Sequence, residues 1–325
     1  MKYTPLRLAP HYQEYLWGGK RLKRDYGKWN APEVTAESWE LSAHPDGPSL
    51  VAEGPLAGKT ILELGQMDRA GFWGRTGEEF PILVKLIDAE RDLSVQVHPS
   101  DTTALRWAGE HGKAELWYIV DCKPQSCLYY GFSTRITRDG LLERARDGSI
   151  CQVLNRVPVA RGDVFYILPG TIHAIGAGIL IAEIQQNSNT TFRVYDYQRR
   201  DGAGRLRPLH LERAAQVVDY APVVPAECKV NSGAEFPEFS MAEMFSCRYF
   251  QAFRLDVRTG ARLACDGTSF QHLLCVEGGG EILCGGERYP LRRGDSYFMP
   301  AKLGEYRLQG GCRVLLSRTG KEGLQ

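Results

Sequence analysis

The chain has 325 residues, with 40 Lys and Arg against 39 Asp and Glu, for a formal net charge of +1. That balance gives no global attraction to nucleic acid or to an anionic membrane surface, so any anionic partner has to be met locally. The length suits two domains better than one. MKYTPLRLAPHYQEYLWGG has no continuous apolar run of signal-peptide type and AIGAGILIAEI is too short to span a bilayer, which points to a soluble, cytoplasmic protein.

In chain order, KTILELGQM (59–67) has helical spacing. It is followed by the strand patterns ILVKLIDA (82–89) and LSVQVHP (93–99), then a helix over DTTALRWAGEH (101–111). ELWYIVDC (115–122) and SCLYYGF (126–132) read as strands, TRDGLLERARDG (137–148) as a helix, DVFYILP (163–169) and ILIAEIQQ (179–186) as strands, and LHLERAAQVVDY (209–220) as a helix. APVVPAECKVNSGAEFPEF after Tyr220 suits a linker. Strand patterning resumes at 249–257, 269–278, 280–285, 296–300 and 312–318, with GGG at 278–280 read as a turn. Short strands at this frequency indicate an all-β sandwich or barrel with a few inserted helices. The nine cysteines are odd in number and never spaced as CxxC, which argues for reduced thiols; Cys122 and Cys127 are the nearest pair.

An internal repeat organises this pattern. ARGDVFYILPGTIHAI (160–175) and RRGDSYFMPAKLGEY (292–306) both run Arg-Gly-Asp into an aromatic strand and out through proline, but only the first delivers a histidine, His173. The chain therefore reads as a duplicated β unit, 1–220 and 221–325, with one active copy. In the first copy Gln96 and His98 are two apart and share a strand face. Glu115 opens a strand seventeen residues later, and His173 follows the PGT turn. Two imidazoles, a carboxylate and an amide oxygen can hold a divalent ion and leave room for water or substrate. One carboxylate on a dication leaves about +1 at the site, able to stabilise a developing alkoxide or enediolate.

LSVQVHPSD, KAELWYIV and LPGTIHAIGAG together resemble type I mannose-6-phosphate isomerase, a family of zinc-dependent cupins, in its short bacterial form. WGGKRL (17–22), ESWELSAHPDG (37–47), FPILVKLIDA (80–89), NTTFRVYDYQR (189–199) and RPLHLERA (207–214) extend the similarity along the chain. The resemblance implies a mainly β fold of two cupin-type jelly-roll barrels with inserted helices. A catalytic, metal-binding domain would cover 1–220, and a cupin-like domain without ligands 221–325. It makes Gln96, His98, Glu115 and His173 the ligands of one divalent ion, zinc being the family's metal. Arg193 is implied to be catalytic, Lys113 to lie beside the sugar and Ser94 to sit near the substrate phosphate. Longer members often carry a histidine immediately before the lysine, where this chain has Gly112 and places His111 one residue further back.

The implied reaction interconverts mannose 6-phosphate and fructose 6-phosphate through a cis-enediol, so the expected partner is a phosphorylated hexose, and the protein a monomer or weak homodimer. Arg193 would oppose the enediolate with fixed positive charge. Lys113 is a candidate acid or base if burial lowers its pKa; glutamates and histidines not bound to metal stay open as others, and Glu40 and His44 either line the pocket or serve structure. Arg199, six residues beyond Arg193, joins Ser94 as a choice for the phosphate, against the alternative that 199–200 is a solvated turn before Asp-Gly. A non-catalytic sugar-binding cupin and an iron-dependent dioxygenase are the other classes that such a ligand set permits.

Overall fold

The computed structural model describes residues 2–225 and 233–320, so Cys228 and part of the expected linker lie outside the described residues. The fold is mainly β, with jelly-roll sheets that stay open instead of closing into barrels, and five α-helices among the described residues. None of these helices is long and apolar enough to cross a membrane. Predicted and observed elements coincide at Ile82–Ala89, Glu115–Cys122 and Ile179–Gln186. The expected helix at 59–67 runs Ile61–Phe72, begun by a capping box in which Thr60 and Glu63 satisfy each other's backbone N–H groups.

Contacts divide the chain into two compact units, and the partition differs from a cut at residue 220. One unit holds 14–19 and 87–225; the other holds 2–13, 20–86 and 233–320. Residues 20–86 join the C-terminal strands through long-range packing. Leu6–Ala9 pairs antiparallel with Ser296–Met299, and Phe80 stacks on Phe270 at 4.8 Å between ring centroids. Sequence order favours near neighbours and does not reveal a return of this length.

The unit of 87–225 is built from two sheets. In one, the strand Glu115–Cys122 lies between Val164–Ile167 and Ile179–Gln186. In the other the order is Phe192–Tyr195, Val95–Val97, His173–Ile175, Cys127–Phe132 and Leu154–Pro158. Val95, Val97, Ala174, Phe192 and Val194 on this second sheet form a core with Leu141, Leu142 and Ala145 of the helix Arg138–Asp147 and with Ala214 and Ala215 of the helix Leu211–Val217. Because strand side chains alternate, the residues between them, Gln96, His173 and Arg193, take the opposite face.

The two Arg-Gly-Asp turns are the same device. Gly162 and Gly294 have φ of +92° and +91°, a conformation that favours glycine. The Asp163 carboxylate accepts the Ala160 N–H at 3.0 Å, and the Asp295 carboxylate the Arg292 N–H at 2.8 Å. Each turn docks on a long strand, Asp163 carbonyl accepting from Ile119 and Asp295 carbonyl from Cys275. Ile119 and Cys275 are thus equivalent, and four residues before each stand Glu115 and Gln271. Their cross-strand partners, Ile167 and Met299, match as well. In the second copy the Tyr306 hydroxyl donates to Gln271, within a core of Leu273, Met299, Leu308 and Leu316.

The GGG at 278–280 is not a turn. It lies inside the strand Gln271–Cys284, paired with Gly304–Thr319, where a Cβ on Gly280 would stand 2.0 Å from the Gln309 carbonyl oxygen. Glycine lets two long bent strands approach closely.

His272 is buried in the same unit. Ser296 donates to the Glu40 carbonyl, so its oxygen accepts from His272 Nε2 at 2.7 Å, and Ser317 donates to Nδ1. Burial first, then the charge of Lys28, lowers the His272 pKa from 6.5 to about 3. Between these values the unfolded chain binds a proton that the folded chain does not. Stability contributed by neutral His272 is therefore complete above pH 6.5 and is lost as pH falls toward 3, at about 1.4 kcal/mol per pH unit. Denaturant unfolding over this window should show a His272→Gln variant with an acid limb shallower by one proton; an unchanged slope would rule the assignment out.

Candidate metal centre

Three of the expected ligands converge. His98, Glu115 and His173, all buried, offer ligand atoms within 4.8 Å of one another. His98 Nε2 lies 3.2 Å and His173 Nε2 3.9 Å from the two oxygens of Glu115. Gln96, the fourth, has its amide 3.4 Å from His173 Nε2. Backbone register explains the meeting: Gln96 stands opposite His173 on one side and opposite Arg193 on the other, so all three share a face. Glu115 comes from the facing sheet.

The turn before His173 sets its direction. Pro169 and Gly170 occupy the centre of a β-turn closed by Thr171 N–H to the Leu168 carbonyl at 3.0 Å, with Gly170 at φ +88° as a type II turn requires. Gly170 N–H also donates to the His98 carbonyl, tying the turn to the Gln96–His98 strand end. His173 Nδ1 donates to the Thr171 carbonyl at 2.8 Å and His98 Nδ1 to the Thr190 carbonyl at 3.0 Å. Both rings are thereby held with the Nε2 lone pair free to ligate.

Electrostatics agree with that tautomer. Burial, reinforced by the other imidazole, lowers the His173 pKa to about 3, and burial lowers that of His98, with Lys113 adding to the effect. Burial pushes Glu115 the other way, but the charge of Lys113, foremost among its neighbours, outweighs it and holds the carboxylate well below its ordinary range. Lys113 Nζ contacts Glu115 Oε1 at 2.5 Å, yet neither carboxylate oxygen nor His98 Nε2 has a hydrogen bond of acceptable geometry. Buried polar atoms left in this state are costly. Two neutral imidazoles, an ionised carboxylate and an amide able to present its oxygen after a half turn are donors suited to a divalent cation.

The remaining predicted residues distribute around this cluster. Ser94 is buried at the start of the strand carrying Gln96. Arg193 is half-buried; one Nη donates to the Pro208 carbonyl at 2.8 Å while Nε is buried with no hydrogen-bond partner. Arg199 pairs with Asp196 and donates to the Asp92 carbonyl, so it is not a free phosphate ligand in this arrangement, and Arg200 is exposed in the following turn. His111 is half-buried, 4.0 Å from Asp101, while Gly112 lies where a Cβ would come within 2.5 Å of the Asp101 nitrogen. Glu40 is bonded by Lys28 at 2.7 Å and Ser38 at 2.6 Å, and the His44 ring accepts from Asp46 N–H at 3.1 Å, all within the other unit.

Sequence reasoning missed Glu183 and Gln185. They stand opposite Trp117 and Glu115 in the sheet, and the Trp117 indole donates to Glu183 at 2.8 Å. Lys113 Nζ lies 4.0 Å from Glu183. The signal was present: two polar residues at alternate positions interrupt the apolar run ILIAEIQQ. Asp196 and Arg207, joined by bonds of 2.6 and 2.7 Å, were also missed.

Facing jelly-roll sheets with a buried His-Glu-His cluster between them define a cupin-type protein with a candidate metal centre. The phosphomannose isomerase type I catalytic domain profile matches residues 6–125, and the mannose-6-phosphate isomerase cupin domain profile matches 241–319. The chain is 37% identical to mannose-6-phosphate isomerase ManA of Bacillus subtilis over 318 residues, 98% of this chain and 99% of that one. Mannose-6-phosphate isomerase of Streptococcus mutans is 33% identical, covering 98% and 99%. The crystal structure of mannose 6-phosphate isomerase from Bacillus subtilis superposes with a TM-score of 0.90 at 36% identity, over 97% of this chain and 99% of that one. The chain belongs to the type I phosphomannose isomerase family.

Metal content checks the cluster directly. His173→Ala should weaken divalent-ion binding by more than the roughly 10–100-fold expected when only an outer-shell partner is lost. Elemental analysis after dialysis reads this; a variant retaining the wild-type metal complement would remove His173 from the ligand set.

Proposed function

We propose that the protein is a metal-dependent aldose–ketose isomerase interconverting mannose 6-phosphate and fructose 6-phosphate through a cis-enediol. The observation that carries this is the buried Glu115 carboxylate, which the Lys113 ammonium meets at one oxygen only, beside two imidazoles oriented by backbone carbonyls. Family membership supplies the reaction class. Gln96, His98, Glu115 and His173 would hold one divalent ion, which we take to be zinc. When bound, that ion supplies Lewis-acid polarisation of the sugar oxygens next to the carbon that loses its proton.

The chain's own residues divide the remaining work. Lys113 and Glu183, both buried and close together, are the candidates for moving the proton between C1 and C2, since each lies beside the cluster and outside the ligand set. Arg193 directs a guanidinium with an unengaged, buried Nε, and positive charge fixed in a partly dry site stabilises the enediolate. Ser94 and Arg199 serve the phosphate, Arg199 through the N–H groups that its bonds to Asp196 and Asp92 leave over. We assign the catalytic, metal-binding role to the segment 1–220 and a non-catalytic role to the C-terminal segment, 221–325. All eight described cysteines are free, which favours a reducing, cytoplasmic location, and we take the protein to act as a monomer or weak homodimer.

A coupled assay should show mannose 6-phosphate turnover that disappears on chelation and returns with added metal. Metal-loaded protein without turnover would overturn the isomerase assignment and leave a sugar-binding cupin. Arg193→Ala should keep its metal and lose about 10²–10³ in kcat, the scale for removing one oxyanion donor. Lys113→Met should keep metal and lose one limb of the pH–rate profile; a profile of unchanged shape would shift the proton transfer to Glu183.

A further inference from the structure

Beside Arg193 the chain builds a second charged cluster that the metal chemistry does not use. Asp196 is 5% exposed and carries two arginines. Arg207 donates to both of its oxygens, Nε at 2.7 Å and Nη at 2.6 Å, in a fork-to-fork pair, and Arg199 adds a further bond to Oδ1. Arg199 Nε also donates to the Asp196 carbonyl, and its other Nη to the Asp92 carbonyl, two residues before Ser94. These bonds leave two of Arg199's five N–H donors and three of Arg207's. Two guanidinium groups thus meet one carboxylate, a net of +1 by count, and Arg193 lies close enough to feel the charges of all three.

The backbone is strained where this cluster is assembled. Tyr197 and Gln198, between Asp196 and Arg199, have φ of +54° and +52°, two consecutive non-glycine residues in the left-handed region. The turn they make, closed by Arg199 N–H to the Asp196 carbonyl at 3.0 Å, swings the Arg199 guanidinium back over Asp196 and over the Tyr197 ring at 5.3 Å. A solvated loop gains nothing from such a conformation. One that fixes two arginines side by side gains a preorganised anion subsite. Its position is set by the Val95–Val97 strand: Tyr195 pairs with Val95, Arg193 stands opposite Gln96, and Arg199 is bonded to the chain just before Ser94.

The geometry points to Asp196 as a positioning residue that holds Arg199 and Arg207 together as the receptor for the dianionic phosphate of the substrate, with Arg207 as the second phosphate-binding arginine. This rests on the isomerase assignment for its substrate and deepens it. A carboxylate beside an anion site lowers the site's net charge, which is acceptable only if the order it imposes on two flexible side chains offsets the loss. Arginine loses considerable rotamer freedom when fixed, so doing so before substrate arrives removes that cost from binding.

The experiment compares wild type with Asp196→Asn and Arg207→Met, both assayed with mannose 6-phosphate and with inorganic phosphate as competitive inhibitor. Both variants should raise KM and the phosphate inhibition constant in parallel, by about tenfold or more, the scale of one charge-assisted hydrogen bond. Metal content should be unchanged and kcat should move about twofold at most, because uniform binding has been lost. A fall in kcat or in metal content at constant KM would mark Asp196 as merely structural and overturn the proposal, as would an unchanged phosphate inhibition constant. Wild-type phosphate binding by calorimetry separates the two claims: phosphate bound without turnover of mannose 6-phosphate would sink the isomerase assignment while supporting the subsite, and turnover without any effect of the two variants would do the reverse.

Discussion

The carboxylate of Glu115 is the constraint from which the rest of the site follows. A fully buried anion costs several kcal/mol unless charges and donors compensate it, and here the immediate neighbours are a lysine and two imidazoles that burial keeps neutral. Neutral rings cannot balance the charge, and Lys113 meets only one carboxylate oxygen. The cluster is therefore underfilled as it stands, and the natural complement is a cation seated where the two Nε2 lone pairs and the carboxylate converge. Thr171 and Thr190 matter for the same reason. Their carbonyls take the Nδ1 protons, so neither ring can relieve Glu115 by turning a donor toward it.

Much of this was legible because it depends on period and turn chemistry. Gln96 and His98, two apart, both reach the cluster, Gln96 from within the strand Val95–Val97 and His98 from just past its end, and Pro169-Gly170 forms a type II turn that delivers His173. What escaped depends on pairing between segments distant in sequence. Glu183 and Gln185 gain their meaning from lying opposite Trp117 and Glu115, a register that the run ILIAEIQQ does not contain. Arg199 was legible as a cation near the site, but its commitment to Asp196 rests on left-handed Tyr197 and Gln198, where no glycine advertises the turn. The grouping of residues 20–86 with the C-terminal strands is likewise a property of return pairing.

The duplicate strands show how one scaffold carries the ligand set or dispenses with it. Both copies keep the Arg-Gly-Asp turn and its docking on the long strand, since those bonds define the backbone path. At the equivalent of Glu115 the second copy has Gln271, a neutral amide whose oxygen accepts from the Tyr306 hydroxyl and whose nitrogen donates to the Ala264 carbonyl at 2.8 Å. An amide with a partner is compatible with the apolar surroundings of Leu273 and Met299, whereas an unpartnered carboxylate is not. Removing the charge thus removes the need for histidines and lysine around it.

In the unit of 87–225 the strand Val95–Val97 sets the spacing of the groups around the candidate metal centre. Its outward valines lock into the helical core, which fixes the inward residues without loops intervening. His98 and Gln96 lie at the end nearest the His-Glu-His cluster, and Arg193 stands directly across from Gln96. Beyond Ser94, at the other end, the chain accepts the hydrogen bond of Arg199 at Asp92. A sugar phosphate that reacts at C1 and C2 and carries its charge on C6 would meet a polarising end and a cationic end set apart along one chain segment. The strand's apolar outer face is therefore as necessary to the chemistry as its polar inner one, because it is the packing of Val95 and Val97 that keeps the two clusters apart.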